Sequence, residues 1–231
     1  MLFRSAKNGD TLDISKLVGE HGVWAAGIVH GKDNQFRLWN YYGVDSLNTL
    51  YMDGRLKGWP SQDFAVTLEG QAYQVTAMGG FKDYLSPMGL NANYGLYGIK
   101  GTLAHQQSRI SASLALNHFT GNKNTVTAFG NWGGYPEFVS MPYMHAENKG
   151  TSAIVGSYLS RLTLLFDLDP YGLTSQSLAL GYAIINIDKN ILPDSDIEVI
   201  TLLYRAKITP KISVRASIDA RVFSAAQGSK L

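Results

Sequence analysis

The stretch KISVRASIDARV, residues 211–222, alternates without a break. Ile212, Val214, Ala216, Ile218, Ala220 and Val222 hold the even positions. Lys211, Ser213, Arg215, Ser217, Asp219 and Arg221 hold the odd ones. Side chains of a β-strand point alternately to its two faces, so a period of two dictates a strand with one apolar and one wet face. The run is also long. Strands of globular domains usually have about 5–6 residues, whereas a tilted strand crossing a hydrocarbon layer needs about 9–11. Length points to a membrane barrel, although a sandwich also holds long strands.

The same alternation recurs upstream. In RISASLALNHF, Ile110, Ala112, Leu114 and Leu116 oppose Ser111, Ser113, Ala115 and Asn117. In FAVTLEGQAYQV, Phe64, Val66, Leu68 and Ala72 oppose Thr67, Glu69, Gln71 and Tyr73. In SLALGYAII, Leu178, Leu180, Tyr182 and Ile184 oppose small residues, Ser177, Ala179, Gly181 and Ala183. Ten strands are predicted, near 23–31, 35–42, 47–53, 64–75, 92–101, 109–119, 152–165, 177–186, 196–205 and 211–223. No segment shows helical periodicity with caps. SRLTLLFDLDPYG reads as a strand running into a turn at Asp169-Pro170.

Two connections are long, 76–91 and 120–150, and they follow the fourth and sixth of these strands. In an up-and-down sheet both fall at one end, and the short KITP turn falls at the other. Short turns at one end and long loops at the other is the asymmetry of outer-membrane barrels.

Composition agrees with an alternating barrel. Charged residues are 16% of the 231, against about 25% in soluble domains. Glycine (24) and tyrosine (13) are abundant, yet mean hydropathy is only −0.07. No run approaches the ~18 consecutive apolar residues of a spanning helix. A net charge of +2 without a basic run argues against nucleic acid as partner. Aromatics at strand ends, among them Trp39, Tyr41, Tyr42, Tyr51, Tyr73, Tyr94, Tyr97, Tyr204 and Phe223, are candidates for interfacial girdles, or else ordinary packing residues.

Catalytic patterns are missing. The five histidines are scattered, and cysteine is absent, which removes disulfides, thiolate metal sites and a Cys nucleophile. There is no GxSxG elbow, P-loop or GxGxxG, so no cofactor is expected. The acidic run around ILPDSDIE reads as a solvated loop rather than a Ca²⁺ site, and Glu69 with Asp219 has no local support as a glycosidase pair. The opening MLFRSAKNGDTLDIS lacks an apolar region and cleavage site and is not read as a signal peptide. The final SKL coincides with a peroxisomal address, too short to outweigh the strands.

Charges inside strands carry the functional reading. An Arg facing lipid at midplane costs about 2–4 kcal/mol, but little if it faces a water-filled lumen. The phase of the last strand puts Arg215, Asp219 and Arg221, with Ser213 and Ser217, on the face opposite the apolar one. Glu69 and Gln71 take the same place in theirs. For Arg37, Lys100 and Arg205 the alternation leaves the face open. Arg215, Arg221, Asp219, Ser213, Ser217, Glu69, Gln71, Arg205 and Arg37 are the candidate pore lining, where arginines would lower the barrier to anions.

The order of features resembles a family. VWAAGIVHGKDNQFRLWNYYGVDSLNTLYMDGRL pairs strands around WNYY and returns through LYMD. GNWGGYPEF sits in the long loop, and DLDPYGLTSQSLALGYAIIN, DSDIEVITLLYR and KISVRASIDARV follow. Over roughly residues 20–223 this resembles the carboxy-terminal half of OprD-like outer-membrane porins, especially the Opr-family porins of epsilonproteobacteria. The resemblance implies a barrel of about 18 strands, a loop folded into the pore, and passive diffusion of small solutes. It also implies arginines on one wall that guide carboxylate-bearing solutes, a role matched by Arg215 and Arg221. The chain departs from that family in lacking a signal sequence and enough amino-terminal strands, and in ending on QGSKL, so it reads as part of a longer barrel without its last strand.

The expectations are therefore these: an all-β, antiparallel up-and-down transmembrane barrel domain over 1–231, a Gram-negative outer-membrane location with lipid and small solutes as partners, and room for assembly as a homo-oligomer. The 120–150 loop is the expected constriction, with Trp132, Tyr135 and Glu137 facing the pore. The alternatives are a small closed barrel whose loops bind a surface partner, and a soluble β-sandwich that binds carbohydrate through Trp132 and Tyr135. A barrel enzyme ranks last for want of a catalytic constellation.

Overall fold

A computed structural model describes residues 2–4, 11–13, 22–126, 156–186, 188, 190, 196–209 and 211–222. A short hairpin, β1 (Leu2–Arg4) with β2 (Thr11–Asp13), precedes the main sheet. The sheet then runs through β3 (Val23–His30), β4 (Gln35–Gly43), β5 (Leu47–Gly58), β6 (Phe64–Ala77), β7 (Tyr94–His105) and β8 (Ile110–Phe119). It continues through β9 (Tyr158–Asp167), β10 (Gln176–Asn186), β11 (Ile197–Lys207) and β12 (Ser213–Val222). Each strand pairs antiparallel with its chain neighbours, in the order β3 to β12. All ten expected strands are present, and the chain folds as an all-β up-and-down sheet.

Two strands run further than their sequences suggest. DGRLKG looks like a connection, but β5 continues to Gly58, because Asp53, Arg55 and Lys57 all stay on one face, in register with Gln71, Glu69 and Thr67. GTLAH likewise extends β7 to His105, leaving only 106–109 as the turn. At Asp169–Tyr171 a single 3₁₀ turn follows β9.

The connections divide by end. The turns at 31–34, 59–63, 106–109, 168–175 and 208–212 lie at one end of the sheet. The other end carries the junctions β4–β5, β6–β7, β8–β9 and β10–β11, of which β4–β5 is only three residues, 44–46. The 78–93 segment holds an unexpected helix, α1 (Gly79–Leu85), and a 3₁₀ turn at Ser86–Met88. Seven residues closed by Pro87 are too few to show a helical period.

The helix is pinned at both ends. Met78 N donates to Ser46 O at 2.8 Å and Phe81 N to Asp45 O at 3.0 Å. Gly79 has φ +47°, and a β-carbon there would collide with Asp45. At the other end Asn91 N donates to Asn124 O and Val126 N to Asn91 O. Phe81 and Leu85 are completely buried, in one apolar cluster with Tyr51, Tyr73, Val75, Tyr94, Leu96 and Phe119. Tyr94 stacks on Phe119 at 5.6 Å, and Tyr73 meets both edge-on. All of these strand residues share one face of the sheet, which is therefore the inner, covered face.

Candidate functional site

The outer face is apolar and uncovered. Leu114 is 53% exposed, Ile99 51% and Leu162 47%, and the aliphatic surface continues over Leu68, Leu180, Ile200 and Leu202. One register line near the short-turn end reads Phe64, His105, Ile110, Phe166, Leu178, Tyr204. Another toward the long-loop end reads Tyr97, His118, Tyr158, Asn186. Phe64 packs edge-on against His105 at 5.0 Å, and His118 stacks on Tyr158 at 4.1 Å. Aromatic and polar rows thus bound an aliphatic band. Along β7 the band runs from Tyr97 to His105, about 26 Å at about 3.3 Å per residue.

Only some of the strand-end aromatics belong to these rows. Trp39, Tyr41, Tyr51, Tyr73 and Tyr94 turn inward and pack in or against the core. Tyr51, Tyr73 and Tyr94 each sit in phase with a buried neighbour two residues away, while Trp39 and Tyr41 are partly buried against the core. Tyr42, Tyr97 and Tyr204 face out, and Phe223 lies outside the described residues.

The inner face is apolar beneath α1 and polar toward the short turns. Arg37 Nε donates to Asp53 Oδ1 at 2.8 Å across the β4–β5 pair, and the Tyr51 hydroxyl donates to the other carboxylate oxygen. Glu69 and Lys100 face each other across β6 and β7 and form an ion pair at 2.9 Å. Gln71 is buried, and its side chain meets that of Asn117 over Gly98, which has no β-carbon to separate them. An open cavity of about 330 Å³ is lined by Asp33, Arg55, Lys57, Thr67, Glu69 and Thr102.

On the other side of the sheet, Arg215 stands directly opposite Arg205, Ser217 opposite Leu203, and Asp219 opposite Thr201. Thr201 and Leu203 are buried, so this phase is the inner face. Ser213 pairs with Lys207, and Arg221 lies in register with Val199. Arg161 of β9 joins them on the same face, and its guanidinium acts electrostatically on both Asp219 and Arg215.

Sequence reasoning puts Glu69, Gln71, Ser213, Arg215, Ser217 and Asp219 opposite the apolar faces of their strands and leaves the face of Arg37 and Arg205 open, and the structure distributes these residues into two separate groups. Trp132, Tyr135 and Glu137 lie outside the described residues. The described segment that covers the inner face is 78–93. Sequence reasoning misses Asp53, Arg55, Lys57 and Arg161: Asp53 as the end of the strand it expects, Arg55 and Lys57 by ending that strand too early, and Arg161 because both faces of YLSRLTLLF carry leucines. The signal that could have found Arg161 is Gly181, an inward glycine beside it.

No protein-family model matches the chain, and no curated protein matches its sequence. Solved structures do match its fold. OccAB4 of Acinetobacter baumannii superposes with a TM-score of 0.68 at 8% identity, over 96% of this chain and 51% of its own. OccD3 (OpdP) of Pseudomonas aeruginosa gives 0.62 at 12% identity, over 87% and 52%. The outer membrane protein OprD of the same organism gives 0.58 at 11% identity, over 90% and 56%. The chain spans about half the length of each of these proteins. By fold, it is an antiparallel up-and-down β-barrel wall of the OprD and Occ type.

Proposed function

We propose that this chain forms wall strands of a porin in a Gram-negative outer membrane, through which small hydrophilic solutes diffuse passively. The observation that carries the reading is the split between faces. A soluble sheet hides its apolar face, yet here the aliphatic face is the open one, with aromatic rows at both margins. The charged and hydroxyl side chains lie on the opposite face. At a tilt of about 40° the aliphatic band spans about 20 Å of membrane, near the ~25 Å height typical of such barrels.

The long connections would then face the cell exterior and the short turns the periplasm. Arg37, Glu69, Gln71, Arg205, Ser213, Arg215, Ser217, Asp219 and Arg221 would line the lumen. A preference for anionic, carboxylate-bearing solutes is supported by Arg205 against Arg215. Like charges directly opposite each other destabilise a sheet, and a lumen that attracts anions gives that arrangement a use. The 78–93 segment, and with it the 120–150 loop, would narrow the pore at its outer end.

A second reading has one observation in its favour. Phe81 and Leu85 bury an apolar core on the inner face, as a filled barrel without a pore would. Conductance separates the two. The purified chain, reconstituted from detergent into a planar bilayer, is expected to open discrete steps in KCl that favour chloride. Insertion without conductance supports the filled barrel, and solubility without detergent supports the sandwich.

A further inference from the structure

Trp39 lies flat on the neighbouring strand. A β-carbon at Gly27, its cross-strand partner on β3, would stand only 2.2 Å from Cδ2 and Cε3 and 2.7 Å from Cζ3 of the indole. One ring face therefore rests on the β3 backbone, and the other turns away from the sheet into the interior. Tyr41, two residues along on the same face, stacks beside it with centroids 6.3 Å apart and planes at 25°. Its partner on β3 is Ala25. The small residues Ala25 and Gly27 let two rings of β4 recline side by side as a flat apolar platform.

A polar pair borders that platform. Arg37 uses Nε to reach Asp53, and among the described residues its terminal amino groups donate to no protein group. Its side chain is 39% exposed, against 12% for Asp53. Guanidinium donors and a carboxylate acceptor thus stand next to each other at the platform edge. Their charges cancel locally, so neither an anion nor a cation gains from one without opposition from the other. A neutral ring with an apolar face and hydroxyls on its rim satisfies both. Its C–H face covers the aromatic rings, and each hydroxyl can accept from Arg37 and donate to Asp53.

We propose that Trp39, Tyr41, Arg37 and Asp53 form a binding site for a neutral pyranose sugar on the inner face. The proposal rests on the porin reading, because it needs that face to be open to solute, and it names a solute class that the arginines at the other wall do not.

The test uses the full chain in detergent micelles, with Trp24, Trp59 and Trp132 replaced by Phe so that Trp39 is the only indole. Titration with maltose is expected to change Trp39 emission saturably, with half-effect at millimolar sugar. Arg37→Lys keeps the charge but loses the planar fork, and the half-effect concentration is expected to rise about tenfold, the loss of one charge-assisted hydrogen bond. A flat or linear response in a chain whose circular dichroism shows native strand overturns the site. Saturation by sodium benzoate but not by maltose overturns the assignment to a neutral sugar. If the triple replacement misfolds, equilibrium dialysis of radiolabelled maltose against the unsubstituted chain decides the matter: saturable uptake supports the site, and its absence overturns it. Conductance in KCl is read in parallel. Conduction without maltose binding removes the site and leaves the porin, and binding without conduction does the reverse.

Discussion

The Arg161 guanidinium lies across Gly181: a β-carbon at that glycine would stand 2.9 Å from Nη2 and 3.1 Å from Nε. The glycine makes the path by which an arginine on β9 comes under the influence of Asp219 and Arg215 on β12, three strands away. Gly181→Val should push the guanidinium off this path and cost about 1–3 kcal/mol through overpacking. In an Arg161→Ala background the same change should cost much less. A double-mutant cycle from denaturant midpoints measures the coupling, and equal costs in both backgrounds would show that the two side chains do not interact.

Asp53 holds Arg37 at 2.8 Å and accepts the Tyr51 hydroxyl as well. Asp53→Asn removes a charge from the inner face and leaves Arg37 uncompensated. The reversal potential in a KCl gradient should move toward chloride. Tyr51→Phe removes a hydrogen bond but no charge, and should lower stability by about 1 kcal/mol without moving the potential.

Phe81 and Leu85 anchor α1 on the inner face. Phe81→Ala should cost about 3–5 kcal/mol by leaving a cavity in a buried cluster, and Leu85→Ala somewhat less. Because the loosened segment covers the face proposed to line the pore, single-channel conductance should rise in both variants. Unchanged conductance with lowered stability would mean that 78–93 does not narrow the path.

Neighbouring residues on β8 test the assignment of faces. Leu114 is open on the outer face, while Ser113 shares the inner face with Thr102 and Thr163. Leu114→Arg should cost about 2–4 kcal/mol in a folded bilayer-inserted state. Ser113→Arg should cost far less and should instead alter ion selectivity. Refolding titrations in lipid vesicles compare the two.

Much of this architecture is legible in the strand alternation. Leu114 against Ser113 and Leu68 against Glu69 carry the period so clearly that strand, face and order follow together. The margins of strands are harder to read, because Gly54, Gly58 and Gly101 resemble turn residues while the backbone continues through them in regular register. α1 escapes for a different reason: what stabilises it is Phe81 and Leu85 docking onto a distant core, a tertiary effect that a seven-residue stretch does not advertise. The inward turn of Trp39 and Tyr41 depends on their small partners Gly27 and Ala25, which only the β3–β4 register brings opposite them.

Pairing of each strand with its chain neighbours also sets an order of assembly. A meander is closed hairpin by hairpin, and each closure loses entropy according to the length of chain it ties off. Most closures here are inexpensive. The 120–157 connection between β8 and β9 is the exception, losing about 2 kcal/mol more on closure than the 106–109 turn. By closure entropy the sheet divides into two ribbons, β3–β8 and β9–β12, joined across its longest connection. The costliest closure is the meeting of Ala115 on one ribbon with Arg161 on the other.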